Sequence, residues 1–128
     1  IRRPPRSTQS RSSAASDVYK RQLQECAELQ AKKSEDYQNP NSQVKQAMHY
    51  RRGVDSIHDT MHGKMLRAQS LLESGQANNF ESLEDTYKDL INYASFAVAY
   101  IRGEMEGQDP TLDYLNKPKN PVAAHNAD

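Results

Sequence analysis

The chain has 128 residues, a mean hydropathy of −1.00, 17 basic and 17 acidic side chains, and one cysteine. That length suits one domain, and the lone Cys26 excludes an internal disulfide and a thiolate zinc cluster. The most apolar run, Leu90–Ile101, is interrupted by Asn92 and falls well short of the ~20 residues a bilayer-spanning helix needs, so no membrane contact is expected.

The first segment, Ile1–Gln22, reads IRRPPRSTQSRSSAASDVYKRQ. Ile1, Val18 and Tyr19 are its only large hydrophobes, and it has no apolar period. Too little surface can be buried to offset the entropy of ordering it, so it is expected to be disordered. The segment resembles the translated sequencing adapter found at contig ends in metagenomic read assemblies, and is set aside from fold reasoning on that ground. It holds six basic groups and one acid, which leaves Leu23–Asp128 with 11 basic and 16 acidic residues, a net charge of −5. Direct binding to a nucleic-acid backbone is not expected of such a domain, and a bound nucleotide would need local cations or a metal.

Leu23–Lys33 carries Leu23, Cys26, Ala27 and Leu29 or Gln30 at helical spacing. Ser34–Asn41 reads as a turn punctuated by Asn39-Pro40-Asn41. A short helix is expected over Ser42–Arg51, ended by Gly53. A long helix follows over Ser56–Ser74, capped by Asp55 or Ser56 and closed by Gly75, with Ile57, Met61, Met65, Ala68 and Leu72 on one face. Asn79 is expected to cap the last helix, Phe80–Glu106, whose stripe is Leu83, Tyr87, Leu90, Ala94, Ile101 and Met105, with Phe96 and Ala99 opposite and Gly107 as the stop. Residues 107–128 read as a flexible tail in which Leu112, Tyr114 and Leu115 dock at most once. The expected fold class is all-α: a small antiparallel helical bundle of three long helices and one short one, spanning residues 23–106. So small a core with exposed apolar faces suggests a homodimer.

Three constellations carry chemistry. In the last helix Glu81, Asp85, Asp89 and Asn92 share a stripe opposite the apolar one. Carboxylates four apart repel, and those entering a covered face need a partner. Mg2+ is such a partner, because it takes one or two carboxylates with water and phosphate oxygens for the rest. The plainer alternative is that acids early in a helix complement its dipole, which accounts for Glu81 and Glu84 better than for Asp89 and Asn92. In the preceding helix Lys64 and Arg67 flank the Ile57/Met61/Met65 stripe, where an antiparallel neighbour brings them to those acids, as a phosphate clamp or as a structural ion pair. His58 and His62 have zinc-pair spacing but no third ligand. Third, Lys32–Tyr37 puts acid, aromatic and lysine at a helix exit.

Taken together, K-x-x-D-Y (Lys33, Asp36, Tyr37), H-x-K-x-x-R (His62, Lys64, Arg67) and ESLEDTYKDLINYASF (Glu81–Phe96) resemble the nucleotide modification associated domain, type 1, of phages and bacteria. The resemblance implies a cytoplasmic protein, in the host if phage-encoded, that makes or handles modified deoxynucleotides. Its carried-over site residues are Asp36, Tyr37, Lys64, Arg67, Glu84, Asp85, Asp89 and Asn92. Asp85 and Asp89 would hold Mg2+ and, with Glu84, form the catalytic group if there is one. Lys64 and Arg67 would meet phosphates, and Asp36, Tyr37 and Asn92 would line the pocket. More distantly the pattern is similar to all-α nucleoside triphosphate pyrophosphohydrolases of the MazG and dimeric dUTPase kind. Those carry an E-x-x-E pair on one helix and an E-x-x-D pair on a neighbour, whereas the last helix here offers Asp85-x-x-x-Asp89, with Thr86 where the second pair's glutamate would stand. A small-molecule nucleotide is therefore the expected partner. The competing expectation is a non-catalytic module that scaffolds a base-modifying enzyme.

Overall fold

A computed structural model describes residues 6–37, 41–76 and 79–119. Its helices are α1 (Arg6–Tyr37), α2 (Val54–Ser74) and α3 (Phe80–Ile101), with a 3-10 turn at Gln46–His49. No strand occurs among the described residues, and Leu112–Pro118 form an isolated antiparallel bridge. The chain divides into two compact units, Ile1–Gln38 and Asn39–Asp128.

The first unit is α1. It was expected only over Leu23–Lys33, but it runs through Arg6–Gln22, expected to be disordered, and through Ser34–Tyr37, expected to turn. A helix closes its hydrogen bonds within itself, four residues back, and needs no core to do so. Pro4, Pro5 and Pro40 bracket this stretch and none falls inside it. Residues 14–22 are exposed on every side, Val18 and Tyr19 included, so this part of the helix buries nothing.

In the second unit α2 and α3 lie antiparallel. Ile57, near the start of α2, shares a core cluster with Tyr100, near the end of α3, while Asn79 donates to the Ser74 hydroxyl at the other end. The core also takes Ala47 and Met105, with Tyr50, Val54, Met61, Tyr93, Phe96 and Ala97 packed around it. On α3 the covered seam is Leu83, Thr86, Leu90, Tyr93, Ala97 and Tyr100, a three-and-four spacing. The expected stripe is therefore rotated: Tyr87, Ala94 and Ile101 are exposed. Thr86 enters the core because its hydroxyl donates to the Ser82 carbonyl at 2.7 Å, which leaves it no unmet polar group. On α2, Ile57 and Ala68 are buried as expected, whereas Met65 and Leu72 are exposed.

The boundaries have local causes. α2 begins at Val54, ahead of the expected Ser56, after Gly53 at φ 62° and ψ −131°. The Ser56 hydroxyl accepts from the Arg52 N–H at 2.9 Å. Gly75 closes α2 in the left-handed conformation, as its place in the sequence predicts. α3 stops at Ile101 and not at Glu106, because Gly103 (φ 73°) turns the chain. The Glu104 N–H bonds the Ala99 carbonyl at 2.9 Å and the Gly103 N–H bonds that of Tyr100 at 3.0 Å, a Schellman close. Met105 thus reaches the core from the turn, not from the helix.

The short helix expected over Ser42–Arg51 is reduced to the one 3-10 turn. Its Ala47 N–H is taken by the Glu106 carbonyl at 3.0 Å. The tail expected to be flexible is, through Lys119, a folded hook. Asp109 and Asp113 each accept backbone N–H groups two or more residues on, and Lys119 N–H bonds the Thr111 carbonyl at 2.8 Å. The hook docks through polar contacts. Val54 N–H donates to the Tyr114 carbonyl at 2.9 Å, and the Asn116 amide donates to the carbonyls of Tyr50 (3.2 Å) and Arg51 (2.6 Å) while accepting from the Tyr100 hydroxyl. Hydrogen bonding rather than an apolar period holds it, which is why patterning misses it. Residues 120–128 lie outside the described residues.

Candidate functional site

One flank of the α2/α3 pair brings predicted site residues together. Lys64 of α2 places its ammonium 3.2 Å from the Asp89 carboxylate of α3, with both side chains about three-quarters covered. The same ammonium lies 5.3 Å from the centre of the Tyr93 ring. Asp89 and Tyr93 are one helical turn apart, so carboxylate and aromatic face meet a cation from the neighbouring helix. Tyr93 in turn stands edge-on to Phe96, ring centres 5.2 Å apart. Beside it the Tyr50 phenol is pushed up to about 12, first by burial and then by the neighbouring Tyr93 phenol, against a lowering hydrogen bond from Gln46. Asn92 is buried on α3.

The other predicted residues are placed differently. Arg67 and Asp85 lie one turn along from Lys64 and Asp89, toward the same end of the antiparallel pair, and both are exposed. Glu84 is turned about 100° from Asp85 around the helix, is exposed, and pairs with Lys88 at 3.5 Å. That separates it from the Lys64 flank. Asp36 and Tyr37 end α1, in the first unit, and their side chains lie outside the described residues. Sequence reasoning left out Tyr93 and Tyr50. The signal for Tyr93 was present, four residues after Asp89 on the same helix, whereas nothing in the local pattern marks Tyr50.

Of the two roles open to the basic flank, phosphate clamp or structural ion pair, Lys64 takes the second here by closing directly on Asp89. Among the described residues no three His, Cys, Asp or Glu side chains converge on one point. Asp85 and Asp89 are thus a pair of carboxylates on one helix face, one of them neutralised by a lysine. That donor set suits a hydrated cation that arrives with phosphate ligands better than a resident ion held by protein alone. A separate cleft of about 190 Å3 lies between the end of α3 and the hook, lined by Tyr100, Arg102, Gln108, Tyr114 and Lys119 among others, and none of the predicted site residues reaches it.

Residues 33–101 match the family model of nucleotide modification associated domain 1. The chain belongs to that family. The match runs from Lys33 to the last residue of α3, so the domain's α2/α3 pair and its Lys64–Asp89–Tyr93 cluster fall inside it. No curated protein and no solved structure matches the chain. Membership ties this nucleotide modification associated domain to a nucleotide-related role. No helix among its described residues is long and apolar enough to cross a membrane.

Proposed function

We propose that this chain binds a (deoxy)nucleotide as its Mg2+ complex in phage-type modified-nucleotide metabolism, with the Lys64–Asp89 pair as the element that exchanges partners. The observation that carries the reading is this part-buried pair set against Tyr93 within a nucleotide-associated domain. A magnesium nucleotide presents a cation and an anionic chain together. Asp89 and Asp85 would take the cation, with phosphate oxygens and water completing its shell. The Lys64 ammonium, relieved of Asp89, would meet the phosphate chain, and Arg67 lies on the same flank to add a second donor. Each buried charge then trades one partner for another, so binding leaves none uncompensated. Bound Mg2+ would supply charge neutralisation and, if turnover occurs, polarisation of a phosphoryl group.

The test is calorimetric titration of the full chain with each dNTP, with and without Mg2+, and parallel assay of pyrophosphate release. Lys64→Met and Asp89→Asn are each expected to weaken Mg2+-dependent binding at least about tenfold. Absence of nucleotide binding in either condition overturns the reading. It would leave the second one, a non-catalytic module that scaffolds a base-modifying enzyme, which the closed state of the Lys64–Asp89 pair favours.

A further inference from the structure

α3 carries two apolar seams. One, Leu83 to Tyr100, packs on α2. The other runs beside it at the same three-and-four spacing: Tyr87, Ile91, Ala94, Val98 and Ile101, with Phe80 a heptad earlier. All six are exposed, Val98 at 48% and Ile101 at 57%. Such spacing is that of a helix packed along its length on another helix, and an unpaired seam of this length marks an interaction surface. By helical rotation, Met65 and Leu72 of α2 lie on this same side, and the Lys64–Asp89 pair lies on the other. The surface is therefore independent of the proposed nucleotide site.

We propose that the seam is the interface of an antiparallel homodimer, α3 against α3 of a second copy, crossing at Ala94. The seam is its own complement. With Ala94 at a twofold axis, Tyr87 comes opposite Ile101 of the second copy and Ile91 falls within one residue of Val98. Ala94 is the smallest residue of the seam and sits where two backbones approach most closely. The charges fit the same direction. Glu84 and Arg102, both exposed, edge the seam on one side near its opposite ends. Antiparallel pairing sets Glu84 near Arg102 of the second copy, whereas parallel pairing leaves each Glu84 on the opposite flank and a helix length away from Arg102 of the second copy. Opposed helix dipoles act in the same sense.

The experiment uses the full chain. Sedimentation equilibrium is expected to show a dimer at about 50 μM, and Val98→Glu to raise its dissociation constant at least about tenfold. Because Val98 is exposed in the single chain, the variant should keep its helical circular dichroism. A second chain carries Tyr87→Cys with Ile101→Cys. These positions lie 14 residues apart on one helix, about 21 Å, so they cannot bond within a chain. Oxidation followed by peptide mapping is expected to give the 87–101 intermolecular link, distinguishable from any link through Cys26, and it decides the matter if Val98→Glu fails to fold. A chain that stays monomeric to about 200 μM overturns the proposal. So does a dimer indifferent to Val98→Glu, since another surface then holds it. So do 87–87 and 101–101 links, which report a parallel pair.

Discussion

Replacing Gly53 by alanine probes the joint on which the second unit turns. Gly53 stands at φ 62° and ψ −131°, a conformation nearly closed to residues with a side chain. That strain costs about 1–3 kcal/mol. A Cβ there would also run into the Tyr114 carbonyl and come within 3.2 Å of the Tyr100 ring. The carbonyl is backbone, so the hook has to give way. Val54 N–H would lose Tyr114, the carbonyls of Tyr50 and Arg51 would lose the Asn116 amide, and the Tyr100 hydroxyl would lose Asn116. At about 1 kcal/mol each, with water replacing some, these bring the total to about 3–5 kcal/mol. For a domain of this size that is a fall in melting temperature of roughly 15–30 °C. Gly75 is the control, because it has a similar φ of 62° but open space around the added Cβ, and its alanine should cost only about 1 kcal/mol. Thermal and urea unfolding followed by circular dichroism compare the two. If Gly53→Ala unfolds within about 1 kcal/mol of Gly75→Ala, docking of the hook is not what fixes the start of α2.

Other outcomes follow from the same contacts. Tyr50, raised from 10.0 to about 12, is neutral in the fold; its contribution is complete below its ordinary value and is lost as pH rises through the folded one. Urea midpoints at about pH 9 and about pH 11 should therefore diverge, and Tyr50→Phe should reduce the divergence. An absorbance titration should find Tyr50 and Tyr100, both raised mainly by burial, ionising above the ordinary tyrosine value of 10.0. Lys64→Met leaves the Asp89 carboxylate without its lysine and should cost about 1–2 kcal/mol, and a double-mutant cycle with Asp89→Asn should return a coupling of about 0.5–1.5 kcal/mol. Gly103→Ala meets no atom within 4 Å, so its cost is the positive φ of 73° alone, about 1 kcal/mol in unfolding free energy.

What could be read in advance divides along physical lines. The body of α2 and its Gly75 close were legible, because a left-handed glycine and an apolar period pointed to the same span, whereas Asp55 and Ser56, expected to cap it, fall inside the helix and Gly53 precedes it. The pairing of Lys64 with an acid of the last helix was legible from antiparallel packing. The choice among α3's faces was not. Two overlapping apolar seams differ by one residue in register, and the one that packs on α2 includes Thr86, which a hydrophobic pattern passes over. The end of α3 was misplaced because Gly103 and Gly107 both offer a left-handed turn and the nearer one takes it. The hook was invisible because Asn116, Gln108 and Asp113 hold it through backbone groups, and such contacts leave no period in the sequence. Lys64 closing on Asp89 without a gap is a matter of side-chain reach, which spacing does not encode.

The family match stops at Ile101, yet the folded unit continues to Lys119. Anyone who trims a clone to the matched span would discard Met105 from the core and take from the amide of Val54 and the carbonyl of Arg51 the partners the hook supplies. The folded unit reaches at least eighteen residues beyond the edge the family match draws.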